Sequence, residues 1–205
     1  MAFIDRTLYL PRAWTKDRSR RAAAGVPSGV GFATTVTLAK QLLGRAFAAG
    51  VAARWVGADC LYGRAHHFRH WLEEHGRPHV VGVLPDQVVV YEGRRQRAKA
   101  LTASRPAEAW VRRSAGLGSQ GECVHDWACV LLDEEVTVGM SRWLLVRRPL
   151  DAPEECAYFR ASGPVATTAE ELVRAAGARW AVEEALAQAK GDVGLDQYEV
   201  RRWEA

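Results

Sequence analysis

The sequence predicts an α/β fold that carries a β-rich insertion, and three observations favour it. Apolar strand-like runs at residues 51–59 and 79–84 flank a helical pattern at about 65–75. This alternation of strand, helix and strand is typical of a layer with parallel neighbours. Short strand-like segments separated by turns then fill residues 87–165, and a long helical pattern returns at Thr168. The return of a helix after the β-rich block indicates an insertion into the α/β layer.

The amino-terminal part of the chain is predicted to contain one strand, one loop and one helix. Residues 6–10, RTLYL, form a β-prone run that ends at Pro11. Residues 12–31 are basic and rich in Gly and Pro, which favours a loop. A helix follows, with Thr35 or Thr37 as its N-cap and Gly50 just beyond its end.

The β-rich block is predicted to be almost free of helices. Its strand-like pieces are VVVY, ECVHDWACVLL, SRWLLVRR and CAYFRA. Only residues 104–114 have a helical pattern within it. The predicted division of the chain is therefore a core of residues 1–86, an insertion of residues 87–165, and a return to the core at residues 166–205.

The returning helix has a clear start. Thr168 followed by Glu171 makes a capping box, in which the threonine accepts a hydrogen bond from the first turn. On this helix, Arg179, Glu183 and Lys190 point within roughly 40° of one another. Two interpretations stay open at this point: an exposed helix with stabilising Arg–Glu pairs, or a functional row of charges.

Charge and composition point towards a nucleic-acid partner and away from a membrane. The chain of 205 residues has a formal net charge of +4 and an isoelectric point near 9.0. Basic residues concentrate in two segments, and localised Lys and Arg are what phosphate contacts require. There is no apolar run long enough to cross a bilayer, and the four cysteines form no CxxC pair. We expect a cytoplasmic protein with reduced thiols.

Two segments carry a resemblance to a known family. The run ARWAVEEALAQAKGDVGLDQYEVRRW, which begins at residue 178, resembles the signature of insertion-sequence DDE transposases of the Y-R-E-K branch. Arg179, Glu183 and Lys190 keep that signature's separations of four and seven, and Trp180 follows the arginine, whereas Ala176 replaces the tyrosine. WVGADCLYG is similar to the family's second-aspartate motif, with Asp59 at the end of a strand.

The resemblance implies an RNase H-like fold and a metal-dependent DNA reaction. In such enzymes three carboxylates hold two divalent cations that activate the attacking oxygen and stabilise the leaving one. Asp59 and Glu183 would then be catalytic metal ligands for Mg²⁺ or Mn²⁺. The residues that would contact DNA are Arg179, Lys190, Trp180, Arg201, Arg94, Arg95, Arg97 and Lys99.

The resemblance also predicts an incomplete copy of the enzyme. The family's first aspartate has no counterpart in the sequence, since Asp5 lies in the segment FIDRTLYLPRAW, which is similar to a connecting segment. We expect a core incomplete at its amino-terminal edge, truncated at both ends and inactive alone. There are two alternatives. The chain could be a non-catalytic remnant that acts as an inhibitor by binding DNA, a full-length transposase or a second copy of itself. It could also be a fragment without function.

Two further patterns could indicate sites. His66 and His70 have the i,i+4 spacing that can hold zinc on a helix, but no HExxH pattern or cysteine pair accompanies them, which favours surface histidines. Gly116, Gly118 and Gly121 do not separate a strand from a helix, so a loop is favoured over a phosphate cradle.

Overall fold

The structure, a computed structural model, describes residues 4–118 and 121–193. The chain divides into two compact units. In the described residues, one unit contains residues 4–52 with 185–193, and the other contains residues 53–184. The predicted division of the chain at residues 86 and 165 stays a prediction.

The first unit begins with two short helices where the sequence predicts a loop. Helices α1 (Arg12–Lys16) and α2 (Arg18–Ala23) occupy much of residues 12–31. Asp17 explains the second helix, because its carboxylate accepts a hydrogen bond from the backbone N–H of Arg20 at 2.9 Å. The predicted strand at residues 6–10 is wrong, since that segment forms no strand.

Helix α3 (Thr35–Ala48) confirms the predicted helix of the first unit. Its N-cap is Thr34 rather than Thr35 or Thr37, and the Thr34 hydroxyl accepts a hydrogen bond from the Thr37 N–H at 3.1 Å. Gly50 follows the helix with a φ of +75°, the left-handed conformation that glycine adopts readily.

The second unit is built on a six-stranded sheet with strand order β1-β2-β8-β7-β6-β5, accompanied by a two-stranded hairpin, β3-β4. Its helices and strands have the following bounds: β1 (Val56–Ala58), α4 (Cys60–Gly63), α5 (His66–Glu74), β2 (His79–Val83), β3 (Val88–Tyr91), β4 (Arg94–Arg97), α6 (Ala98–Ala103), β5 (Val111–Gly118), β6 (Gly121–Leu131), β7 (Met140–Arg148), β8 (Ala157–Pro164) and α7 (Ala169–Val193). Helix α7 contributes residues 169–184 to this unit and residues 185–193 to the other.

The predicted strand–helix–strand layer is present. Strands β1 and β2 are parallel, and α4 and α5 connect them. Strand β1 is shorter than the run of residues 51–59 that predicts it. The α/β class is therefore confirmed, while the RNase H-like assignment and its incomplete edge stay predictions.

The β-rich block extends this same sheet instead of forming one of its own. Strand β8 pairs with β2 in antiparallel orientation, and β7, β6 and β5 follow, each antiparallel to the last. The predicted helix at residues 104–114 is wrong. Helix α6 ends at Ala103, and Pro106 disfavours helix in the residue before it. A 3-10 turn at Ala107–Ala109 then leads into β5.

Both faces of the sheet carry an apolar core. On one face, strand residues pack against helix α7 in a cluster that contains Val80, Ala115, Trp127, Trp143, Leu145, Phe159, Ala161, Leu172, Val173 and Ala176. On the other face, strand residues pack against the hairpin and α6 in a cluster that contains Val83, Val89, Ala98, Leu101, Ala128, Val130, Leu132, Leu144, Val146 and Tyr158. Alternate residues of one strand therefore belong to opposite cores, because successive side chains of a strand point to opposite faces of the sheet.

Helix α7 begins where the sequence predicts. The Thr168 hydroxyl accepts a hydrogen bond from the Glu171 N–H at 3.2 Å. The Glu171 carboxylate is used elsewhere, because it accepts a hydrogen bond from Trp55 Nε1 at 2.9 Å and pairs with Arg54 at 2.7 Å. These contacts attach the first turn of α7 to the segment that leads into β1.

Candidate functional site

Asp59 lies at the end of β1, as the second-aspartate motif predicts, and it caps the next helix. Its Oδ1 accepts hydrogen bonds from the backbone N–H groups of Leu61 at 2.9 Å and Tyr62 at 3.4 Å. The residue is exposed. One oxygen of the predicted metal ligand is therefore already engaged in starting helix α4.

The glycine that follows in this motif has a packing role. Gly63 ends α4 against β2, and a Cβ at this position would overlap the carbonyl oxygen of Gly82. Only a residue without a side chain allows this close approach. This close contact holds α4, and with it Asp59, against strand β2.

Glu183 pairs with Arg179 on helix α7. Arg179 Nη1 donates to Glu183 Oε1 at 2.5 Å, and the two side chains are 33% and 55% exposed. This is the i,i+4 pair that the exposed-helix interpretation describes. Lys190 is exposed on the same helix but belongs to the other unit. The side chain of Trp180 and all of Arg201 lie outside the described residues.

The described residues do not assemble a metal site around Asp59 and Glu183. Within residues 4–118 and 121–193, no group of three or more His, Cys, Asp or Glu side chains is placed to hold a metal ion. Asp59 caps a helix and Glu183 is paired, and the structure gives no hydrogen bond or ion pair between them in this part of the chain. The residues present do not fit a two-metal centre, and their catalytic role stays a prediction.

The predicted basic cluster lies on strand β4 of the hairpin, with Arg94, Arg95 and Arg97, and on the first turn of α6, with Lys99. Arg94, Arg95, Arg97 and Lys99 are all exposed, and none of them forms an ion pair with another described residue. Glu92 and Gly93 form the turn with φ values of 51° and 68°, as a tight hairpin turn requires.

A groove of about 430 Å³ runs along this hairpin. Arg94, Arg95 and Arg105 contribute positive charge to its lining, Glu92 contributes one negative charge, and Tyr91 contributes an aromatic ring. The Arg105 guanidinium donates to the Tyr91 hydroxyl at 3.0 Å. The groove therefore combines exposed cations with an aromatic side chain, which suits a nucleic-acid strand.

A second group of charges lies buried against the sheet, and sequence reasoning missed it. Arg142 of β7 binds Glu73 of α5 through two hydrogen bonds of 2.8 and 2.6 Å. Arg160 of β8 pairs with Glu134, whose carboxylate also lies 3.4 Å from Arg142. We call this set, completed by Arg69 of α5, the buried charge network.

The sheet register brings these residues together. His79, Ser162 and Arg142 are direct neighbours across β2, β8 and β7. Arg160 lies two residues from Ser162 along β8 and therefore faces the same side. Helix α5 covers this side with Arg69 and Glu73.

Arg69 differs from the other two arginines of the buried charge network because no carboxylate pairs with it among the described residues. It is 7% exposed, and among the described residues its guanidinium donates a hydrogen bond to the carbonyl oxygen of Gly63 alone. Burial and the nearby charges of Arg160 and Arg142 together lower the pKa of Arg69 to about 10, against the opposing effect of Glu73 and Glu134. The charge on Arg69 is thus poorly compensated.

The pKa of Glu73 moves in the direction expected for a paired carboxylate. Burial acts to raise this pKa, but the hydrogen bonds and the charge of Arg142 outweigh burial and hold it below the usual range. The same pairing raises the pKa of Arg142. Both groups stay charged over the physiological range.

A sequence signal for the buried charge network did exist. Arg142 stands in SRWLLVRR, Arg160 in AYFRAS and His79 in HVVGV, so each is a charged or titratable residue next to the apolar run of a strand. Burying such a residue requires a partner. The partners could not be identified from the sequence, because Glu73 and Glu134 come from other elements.

The zinc interpretation of the histidines gains no support from the geometry. The rings of His66 and His70 stack with centroids 6.1 Å apart, and His70 Nε2 lies 3.2 Å from Glu74 Oε1. Neither histidine belongs to a group of three possible ligands in the part of the chain that the structure describes. The predicted loop around Gly116 and Gly121 is also wrong, because the two glycines lie on the paired strands β5 and β6.

Comparison with known protein families gives a match. The family described as DDE superfamily endonuclease matches residues 1–123, which is more than half of the chain. The match includes Asp59 and the basic hairpin but not Glu183. A comparison with curated proteins gives no match. Among the described residues, no helix has both the length and the apolarity to cross a membrane.

Proposed function

Because this chain belongs to the DDE superfamily endonucleases, we propose that it is a transposase-related protein that binds DNA through the β3-β4 hairpin. The observation that carries the proposal is the set of exposed arginines on this hairpin, none of which forms an ion pair within the described part of the chain, and the hairpin lies within the matched residues. Phosphate groups are the natural counter-ions for such a set.

The geometry of the hairpin supports binding without sequence preference. Arg94 and Arg95 flank the groove beside the Tyr91 ring. Cations that follow a backbone and an aromatic ring on which a base can stack together favour a single strand or a distorted end of a duplex. Arg97 and Lys99 extend the positive surface beyond the groove.

We further propose that the chain descends from the Y-R-E-K branch of insertion-sequence transposases. Asp59 and Glu183 would be the inherited acidic residues, and Arg179, Lys190, Trp180 and Arg201 would contact DNA. Mg²⁺ or Mn²⁺ is the expected cofactor of the complete enzyme. Since the described acidic residues do not fit a metal pair, we propose that the chain does not cut DNA alone.

The second candidate function is inhibition of a complete transposase. It is favoured by the state of the two acidic residues, because Asp59 caps a helix and Glu183 is paired with Arg179. A chain of this kind would occupy DNA, or pair with a full-length enzyme or a second copy, without catalysing the reaction. Its place would be the bacterial cytoplasm, associated with the nucleoid.

The experiment that tests the proposal measures the salt dependence of DNA binding by fluorescence anisotropy. We expect the wild-type affinity to fall steeply with salt, and the triple variant Arg94→Gln, Arg95→Gln, Arg97→Gln to bind more weakly. The logarithmic salt slope should decrease by about 0.7 to 0.9 for each phosphate group that the variant no longer neutralises.

The matched control is Arg45→Gln. Arg45 is exposed but already paired with Asp5 at 2.8 Å, so its replacement should leave the slope unchanged. The proposal is overturned if the triple variant keeps the wild-type slope and affinity. A thermal melt of each variant confirms that the comparison is made between folded proteins.

A further inference from the structure

A cavity of about 400 Å³ opens between helix α5, the β3-β4 hairpin and the sheet. The buried charge network forms part of its wall through Arg69, Arg142, Arg160, Glu73 and Glu134. Arg95 of the hairpin also lines the cavity. The cavity lies entirely within the second unit and is separate from Asp59 and Glu183.

The lining has an excess of positive charge. Four arginines face two glutamates, which leaves a formal excess of two positive charges when the lining residues His66 and His70 are neutral. Both glutamates are already compensated, because Glu73 binds Arg142 and Glu134 binds Arg160. The excess therefore resides on Arg69 and Arg95.

Arg69 is the unusual member of this lining. A buried charge without a partner is strongly unfavourable. Arg69 is nevertheless only 7% exposed, and the carbonyl oxygen of Gly63 is the only acceptor of its guanidinium among the described residues. A guanidinium has five N–H donors. The donors that Gly63 does not use are available to a ligand in the cavity.

Arg95 supplies the second uncompensated charge from the opposite wall. Val90 is its cross-strand partner in the hairpin. The Val90 N–H donates to Glu134 Oε1 at 3.2 Å, which attaches the hairpin to the buried charge network. The distance between the two walls is therefore fixed by hydrogen bonds, and the cavity is preorganised for a ligand.

We propose that this cavity binds one phosphate group, with Arg69 as its principal donor and Arg95 closing the site. A tetrahedral dianion matches both the charge excess of two and the planar donor geometry of arginine. The phosphate can come from free inorganic phosphate or from a phosphate of a DNA strand. The inference does not rest on the proposed DNA binding, because the free anion alone tests it.

The test is isothermal titration calorimetry of the full chain with sodium phosphate near neutral pH, compared with sodium chloride at equal ionic strength. We expect saturable heat with phosphate and none with chloride. Arg69→Gln should weaken phosphate binding at least about tenfold, the usual effect of removing a hydrogen bond to a charged group. Arg6→Gln removes the same charge from an exposed position in the other unit and should bind as the wild type does.

Arg95→Gln keeps the inference testable if Arg69→Gln does not fold. Arg95 is exposed, so its replacement should leave the fold intact and weaken phosphate binding about three- to tenfold. The inference is overturned if phosphate gives no saturable heat, or if a folded Arg95→Gln or Arg69→Gln variant binds phosphate as tightly as the wild type.

A competition experiment identifies the source of the phosphate. Displacement of inorganic phosphate by a 5′-phosphorylated oligonucleotide, but not by the same oligonucleotide without that phosphate, supports a terminal DNA phosphate. Equal displacement by both supports a backbone phosphate. Displacement by neither supports free phosphate as the ligand. The variant Arg97→Gln separates the two proposals, because Arg97 does not line the cavity. If this variant loses DNA binding but still binds inorganic phosphate, the phosphate site is independent of DNA binding through the hairpin.

Discussion

Arg142 and Glu73 form a two-bonded ion pair that connects strand β7 to helix α5. The distances are 2.8 Å between Nε and Oε1 and 2.6 Å between Nη2 and Oε2. The side chains are 19% and 17% exposed, so water screens the pair only in part. Because the two residues are 69 positions apart, the pair stabilises a long-range contact of the fold.

The first prediction concerns this pair. Glu73→Gln keeps the shape of the side chain but leaves Arg142 with only the Glu134 carboxylate, which Arg142 shares with Arg160, among the described residues. We expect the free energy of unfolding to fall by about 2–3 kcal/mol, somewhat less than for a fully buried pair. Urea unfolding followed by circular dichroism measures this difference.

Glu183→Gln is the matched control, since it removes the same group from an exposed pair. We expect a change within about 0.5 kcal/mol, because exposed i,i+4 pairs contribute little. Equal decreases for the two variants would contradict the assignment of the Arg142–Glu73 pair as the more important interaction.

The second prediction is that acid destabilises the fold partly through His79. This side chain is 1% exposed. Burial lowers its pKa, the hydrogen bond to the Arg77 carbonyl and the charge of Glu73 act against this, and the charges of Arg69 and Arg160 lower it again. The folded state therefore keeps His79 neutral where the unfolded state, with a pKa of about 6.5, begins to bind a proton.

The sign follows from proton linkage. The unfolded state binds more protons as pH falls through about 6.5, so the free energy of unfolding decreases from there towards the lower pKa of the folded state. We expect His79→Gln to flatten this slope, measured by urea unfolding at a series of pH values. His67→Gln, at an exposed position on α5, should keep the wild-type slope. If the free energy of unfolding of His79→Gln depends on pH as steeply as that of the wild type, His79 does not cause the destabilisation by acid.

The elements that the sequence predicts correctly are those with strong local patterns. Helix α3, helix α5 and strand β2 agree with the sequence because caps, helical periodicity and apolar runs act within one element. The sequence predicts a helix at residues 104–114, yet this segment leads into β5. Pairing with β6 decides its conformation, and the pairing partner lies outside any local window.

The candidate sites divide in the same way. The local motif predicts Asp59 at the end of a strand, and clustering in the sequence identifies the exposed arginines of β4. The buried charge network depends on the register of three strands with α5, so it could not be derived from the order of residues alone. No sequence motif identifies Arg69. It stands out only because the nearby carboxylates pair with Arg142 and Arg160 and not with Arg69 among the described residues.

The third prediction uses the two glycines of helix α7. Gly177 lies so close to β5 that a Cβ would overlap the carbonyl oxygen of Ala115. Ala ordinarily stabilises a helix by about 1 kcal/mol relative to Gly, but here the overlap should reverse the sign. We expect Gly177→Ala to lower the free energy of unfolding by about 1–3 kcal/mol, measured by urea unfolding.

Gly191→Ala provides the control on the same helix. Among the described residues nothing lies within 4 Å of a Cβ at Gly191. We therefore expect either no change or a gain of up to about 1 kcal/mol. If Gly177→Ala is as stable as the wild type, then α7 can move away from β5 and the close approach does not limit this position.

The fourth prediction is that the chain alone does not cut DNA. Cleavage by two-metal catalysis needs carboxylates that converge on one point, whereas Asp59 caps helix α4 and Glu183 is paired with Arg179. We expect a supercoiled plasmid incubated with the chain and Mg²⁺ or Mn²⁺ to be nicked no faster than in the presence of a chelator. Asp59→Ala is the informative variant: robust cutting by the wild type that disappears in Asp59→Ala would show that the acidic residues assemble on DNA. Absence of cutting together with salt-dependent binding would agree with a transposase-related protein that retains DNA contact without an assembled catalytic centre.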